Sequence, residues 1–174
     1  MIQAYIGDGK GKTTAAIGLA VRALGAGMKV CLIFFDKGTQ TYAHNEISVL
    51  EKIGVTCHVT GVERMNPDGS FRFGIKDEDK TEAVRGIRLA KDCIVSGKFD
   101  MVILDEFLSA ITYDLLPPNS VSEIIGIVHE NFELVLTGRC GDESLLSDVD
   151  LVSKIAKIRH YFDKGIRSRA GIEF

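Results

Sequence analysis

Eight residues, Gly7-Asp8-Gly9-Lys10-Gly11-Lys12-Thr13-Thr14, stand between a short apolar run at 2–6 and a helix-patterned stretch at 12–24. Glycines let consecutive backbone N–H groups converge on an anion, and a helix N-terminus adds partial positive charge at the same place. Strand, glycine-rich loop and helix in that order make the phosphate cradle of a P-loop domain, and the whole segment is read as one. Lys12 can reach β- and γ-phosphates as a point charge, and the Thr13 hydroxyl can ligate Mg²⁺. The common G-x-x-x-x-G-K-[ST] spacing needs glycine at position 6, where Ile6 stands; the leading glycine is Gly7. The loop is therefore one residue short. Gly7, Asp8, Gly9, Lys10, Gly11, Lys12, Thr13 and Thr14 are the expected phosphate contacts.

Beyond this loop, apolar runs alternate with amphipathic stretches of helical length. Residues 29–35 form a continuous apolar run of the kind buried on both faces of a parallel sheet. A helix over 46–53 closes at Gly54, and residues 55–60 supply another short strand. Residues 61–75, with Asn66-Pro67-Asp68-Gly69, form the longest irregular segment. A long helix is expected over 77–96, because Ala83, Ile87, Ala90 and Ile94 recur at helical spacing. Strand 101–104, helix 120–129, strand 133–137 and an apolar alternation near 151–158 follow. Strands separated by helices imply β-α-β crossovers, hence an α/β fold: a mainly parallel sheet with helices on both faces. The 174 residues contain no repeat or linker and read as a single domain, 1–174.

The second half of a nucleotide site is expected at two strand ends. Met101-Val102-Ile103-Leu104 runs into Asp105-Glu106, and a strand-tip carboxylate beside a phosphate loop holds Mg²⁺ directly or through water. Neighbouring residues of a strand face opposite ways, so the two acids are expected to differ in role. Leu134-Val135-Leu136 leads into Thr137-Gly138-Arg139. Ligands of open α/β sheets sit at the carboxyl ends of strands, so Arg139 reads either as a phosphate contact or as a salt bridge at the sheet edge.

A formal net charge of -3 and a pI near 5.8 argue against a nucleic-acid partner. No apolar run reaches the roughly 18 residues of a membrane span, and no signal-peptide pattern opens the chain, so a cytoplasmic location is expected. Cys31, Cys57, Cys93 and Cys140 are scattered singly, without the spacing of a zinc or redox motif. Cys31 and Cys93 read as core residues. Of the histidines, His58 and His129 read as structural, and His44, beyond the 29–35 strand, is the one on the ligand side.

With these pieces in place the chain resembles the ATP:cob(I)alamin (corrinoid) adenosyltransferases of the CobA/BtuR type. The resemblance rests on residues 7–16, Arg22-Ala23 with Gly25 and Gly27, Phe35-Asp36-Lys37-Gly38, Val102-Ile103-Leu104-Asp105-Glu106, and Tyr113-Asp114-Leu115-Leu116-Pro117. Leu136-Thr137-Gly138-Arg139, residues 160–166 and Gly171-Ile172-Glu173-Phe174 complete it. The shortened loop is itself this family's form. The resemblance implies a RecA-like P-loop fold, a homodimer, ATP as co-substrate, a reduced corrinoid as substrate and possible supply of electrons by a flavoprotein reductant. It implies transfer of the 5′-deoxyadenosyl group of ATP to Co(I), with Lys12, Thr13 and Glu106 as catalytic residues. Thr13 and Glu106 would then ligate Mg²⁺, with Asp105 supporting. Family members often carry a Phe-x-Trp pair near the corrinoid; this chain has no Trp, and Phe71-Arg72-Phe73 stands in that place. Phe71 and Phe73 either meet the corrin face or anchor the loop to the core. Some members carry an N-terminal extension over the corrinoid, whereas this sequence begins at its first strand. Two rival functions share these features: a small-molecule kinase or ATPase, and a non-catalytic ATP- or corrinoid-binding regulator.

Overall fold

The structure is a computed structural model that describes residues 1–35, 38, 45–64, 72, 74–166 and 168–173. Phe71, Phe73 and His44 lie outside the described residues. The elements follow the order β1 (Ile2–Ile6), α1 (Lys12–Gly25), β2 (Val30–Phe34), α2 (Asn45–Lys52), β3 (Thr56–Val59), α3 (Asp77–Val95) and β4 (Met101–Asp105). Then come α4 (Phe107–Thr112), α5 (Ser120–Ile125), β5 (Glu133–Gly138) and β6 (Leu151–Lys154), with 3₁₀ turns at Glu143–Leu146 and Tyr161–Lys164.

The six strands form one sheet in the order β3-β2-β4-β5-β1-β6, and every pairing is parallel. Its two faces bury separate cores, because successive strand residues point opposite ways. Ala16, Ala20 and Ala23 of α1, with Leu50 of α2, cover Val30, Leu32, Phe34, Met101, Ile103 and Val135. Ala83, Ile87, Ala90 and Ile94 of α3, with α4 and α5, cover Cys31, Ile33, Val102, Leu104, Leu134 and Leu136. The central strands β2 and β4 are buried along their whole length, which explains their unbroken apolar runs. Small residues let α1 lie close on the sheet. This is the α/β, RecA-like architecture expected from the sequence.

The strand that feeds the glycine loop and the strand that ends in Asp105 are not neighbours. β5 lies between them, so Thr137 and Gly138 sit at the carboxyl edge between Ile6 and Asp105. Two expectations need correction. The helix expected over 120–129 ends at Ile125, where the chain tightens into i→i−3 bonds from the Ile127 and Val128 N–H groups to the Ile124 and Ile125 carbonyls. The sequence reading assigned no element to residues 107–119, yet α4 starts directly after Glu106. Its six residues are too few for periodicity to register.

Candidate active site

The loop after β1 is held from outside by the chain that continues β6. The Gly9 N–H donates to the Ile155 carbonyl at 2.9 Å, the Ile155 N–H donates to the Ile6 carbonyl at 2.8 Å, and the Lys157 N–H donates to Asp8 Oδ1 at 2.9 Å. That last bond is the main reason the Asp8 carboxyl titrates below the usual aspartate value. Gly7 has φ +114, and a Cβ there would meet the Ile155 carbonyl oxygen inside van der Waals contact. Gly7→Ala is therefore expected to cost at least about 2 kcal/mol, from backbone strain and the displaced strand extension together. Denaturant unfolding checks it; wild-type stability in Gly7→Ala would mean that β6 does not brace the loop.

At the helix end of the loop, Lys12 Nζ donates to the Gly9 carbonyl at 2.9 Å, curling back over the glycines. Burial pulls the Lys12 ammonium below the ordinary lysine value, and Arg139 acts in the same direction. Glu106, Asp105 and Asp8 pull it back up. A partly desolvated cation over a glycine loop at the N-terminus of α1 is suited to receive an anionic ligand.

Beneath the loop lies a network built from strand ends. Asp105 is fully buried, accepting from Thr137 Oγ1 at 2.7 Å and from Thr13 Oγ1 at 3.2 Å. Glu106 is the first residue past the strand and adopts φ 58, the left-handed region that side chains with a Cβ seldom enter. Its N–H is held by Thr137 Oγ1 at 2.9 Å, and its carboxylate accepts from Ser109 Oγ. Ser109 Oγ in turn accepts from the Arg139 N–H at 2.8 Å. Gly138, at φ +141, allows this approach, because a Cβ there would lie 2.5 Å from the Ser109 N. The backbone twist at Glu106 separates the two acids, one packed under Thr13 and the other facing the cavity. The two side chains therefore have different surroundings.

The cavity above has a volume of about 690 Å³ and is lined by Lys10, Gly11, Lys12, Thr13, Thr14 and Glu106. Its far walls are Asn45, Glu46 and Val49 of α2, and His160 with Gly171, Ile172 and Glu173 of the C-terminal segment. That volume accommodates a nucleotide-sized ligand. Gly7, Asp8 and Arg139 instead line a neighbouring cleft of about 360 Å³. Arg139 thus stands near enough to Lys12 to act on its charge but borders the other side of the loop. The sequence reading missed Thr137, Ser109, His160 and the C-terminal wall. Thr137 was legible in the Leu-Thr-Gly-Arg turn; the wall was not, since only folding carries residues 160 and 171–173 back to the first helix.

The oxygen donors gathered beneath the loop include the Thr13 hydroxyl and the Asp105 and Glu106 carboxylates. That set fits a hard cation such as Mg²⁺ and would not favour a soft one.

All 174 residues match the family described as ATP:corrinoid adenosyltransferase BtuR/CobO/CobP. A corrinoid adenosyltransferase of Escherichia coli strain K12 is 34% identical over 176 residues, covering 100% of this chain and 85% of the relative. The corrinoid adenosyltransferase CobA of Salmonella typhimurium is 31% identical over 174 residues, with the same coverage of 100% and 85%. A corrinoid adenosyltransferase of Pseudomonas aeruginosa is 28% identical over 172 residues, 98% of this chain and 81% of the relative. A full-length family match, relatives above 30% identity and a P-loop site with strand-tip acids agree: the chain belongs to the ATP:corrinoid adenosyltransferase family.

Proposed function

We propose that this protein transfers the 5′-deoxyadenosyl group of ATP to the cobalt of a reduced corrinoid and releases triphosphate. The observation that carries the reading is the cavity over Lys10 to Thr14 and Glu106 in a chain matching this family from end to end. Co(I) supplies the electron pair that forms the Co–C bond to the ribose 5′ carbon. The C5′–O bond breaks, and its electrons leave with the triphosphate oxygen. The nucleophile carries no proton, so no catalytic base is required. The protein's work is to place ATP and to stabilise charge gathering on the leaving group.

Gly9, Gly11, Lys12, Thr13 and Thr14 hold the phosphates in this scheme, with Lys12 against the leaving charge. Gly7, Asp8 and Lys10 shape the loop, and Arg139 adds positive potential from the adjoining cleft. Thr13, Asp105 and Glu106 would hold a Mg²⁺ ion, which when bound neutralises part of the triphosphate charge. Phe71 and Phe73 are proposed to approach the corrinoid. A homodimer, a flavoprotein reductant that delivers Co(I), and a cytoplasmic location belong to the same proposal. Among the described residues no helix is long and apolar enough to cross a membrane.

Chemically reduced cobalamin, ATP and Mg²⁺ mixed with the protein should give the adenosylcorrinoid spectrum and one triphosphate per turnover. Release of ADP without a change in the corrinoid spectrum would replace this reading by that of a kinase or ATPase. Binding of ATP or corrinoid with no product of either kind would leave a regulator.

Glu106→Gln should lower transfer at least about tenfold and raise the Mg²⁺ concentration needed for half-maximal rate. Glu78→Gln, a change at an exposed carboxylate of α3, should do neither. An unchanged Mg²⁺ dependence in Glu106→Gln would move the metal ligand elsewhere, with Asp105 next to be tested.

A further inference from the structure

Away from the phosphate loop, the fold gathers three residues that the sequence scatters. Cys31 lies on β2, His58 on β3 and Cys93 on α3. One ligand atom from each falls within 4.8 Å of the other two, and the Cys31 and Cys93 sulfurs are 3.7 Å apart. The topology explains the meeting. β3 pairs with β2 in a register that sets His58 beside Ile33, on the face that also carries Cys31. α3 crosses that face and buries Cys93 against it.

The spacing has chemical content. Two thiolate sulfurs, each about 2.3 Å from one tetrahedral Zn²⁺, stand about 3.8 Å apart. Two packed thiols also touch at this distance, so what marks the cluster is an imidazole nitrogen within reach of both sulfurs. Cys31 and Cys93 are almost wholly buried, at 0% and 6% exposure, while His58 is half-buried on the edge strand. The pair is thus shielded from solvent, with one side open at the sheet margin. Burial pushes both thiols above the ordinary cysteine value, which makes them poor nucleophiles.

We propose that Cys31, His58 and Cys93 form a binding site for a thiophilic divalent cation of the Zn²⁺ class. Each thiol gives up its proton to solvent on ligation, and His58 binds through a neutral ring nitrogen. Among the described residues the set stops at three, so solvent takes the fourth tetrahedral position. Among the described residues β3 is a four-residue strand paired only to β2, and the ion ties it to both β2 and the long helix. The site lies on the α3 face of the sheet, and its soft donors separate it from the all-oxygen set at Thr13, Asp105 and Glu106.

Co²⁺ is a suitable probe, because tetrahedral thiolate ligation produces sulfur-to-metal charge-transfer absorption that oxygen ligation does not. The full-length protein, reduced with a phosphine, should take up one equivalent of Co²⁺ with that absorption, and one equivalent of Zn²⁺ should abolish it. Cys93→Ser should lose about half of the charge-transfer intensity and bind Co²⁺ at least about tenfold more weakly. His58→Ala should keep the band with a similar loss of affinity. Cys57→Ser, whose side chain packs on the opposite face, should match wild type. Mg²⁺-dependent adenosyl transfer checks that each variant is folded. Absence of the band at one equivalent, or a band and affinity untouched in both folded Cys93→Ser and His58→Ala proteins, would overturn the site.

Discussion

A Lys12→Ala protein is expected to fold normally and to transfer the adenosyl group about 100- to 1,000-fold more slowly than wild type. The Lys12 side chain packs in neither core; its ammonium hangs over the loop on one hydrogen bond to the Gly9 carbonyl. Removing it therefore leaves the packing of α1 on the sheet intact. What disappears is a cation already stripped of part of its water, which in the proposed reaction faces the triphosphate as the C5′–O bond breaks. A charge-assisted contact in such a place is worth more than at a wet surface. The loss should fall mainly on kcat at saturating ATP, since the leaving-group charge is greater in the transition state than in bound ATP. Lys12→Arg should recover little, because the planar fork of guanidinium cannot repeat the point contact made by an ammonium in a glycine loop. A folded Lys12→Ala protein with near wild-type kcat would remove the phosphate loop from the reaction.

The fold was legible in the sequence wherever burial imposed a pattern over many residues. β1 was read to the residue, and α1, α3 and the two central strands within a residue or two, because each buries a full face or both faces. α4 was not legible, since one and a half turns between a strand end and a proline-containing turn carry no period. The site divided the same way. Lys12, Thr13, Asp105 and Glu106, which the structure brings together, could be named from sequence because they sit in contiguous motifs at strand ends. The β6 extension that braces Gly7 and Gly9, the Thr137 bridge between the two acids, and the C-terminal wall were not. Each depends on contacts across more than 30 residues that only the strand order creates. The Cys31–His58–Cys93 cluster is the extreme case. Its ligands come from three elements, so metal-motif spacing had nothing to detect.

Loss of the Asp79 carboxylate should destabilise the protein by about 3–5 kcal/mol, the cost of breaking a buried ion pair from one side. Asp79 lies in the first turn of α3 with its side chain fully buried. It accepts two hydrogen bonds from Arg72, at 2.7 and 3.0 Å, and one from the Lys76 N–H at 2.7 Å, while Arg64 Nε lies 3.3 Å away. Asp79→Ala takes a carboxylate away from two mostly buried guanidinium groups beside a helix N-terminus, where the partial charge is also positive. Burial alone would raise the Asp79 carboxyl, but the bonds from Arg72 and Lys76 and the nearby arginine charges hold it below the ordinary value. A folded-state value below the unfolded one means that this stability is fully present above the unfolded pKa and drains away as pH falls through the carboxylate range. Wild type and Asp79→Ala should therefore differ most near neutral pH and converge in acid. Urea unfolding at a series of pH values, with an unchanged m-value, measures both effects. A neutral-pH difference below about 1 kcal/mol would place the pair among ordinary surface ion pairs.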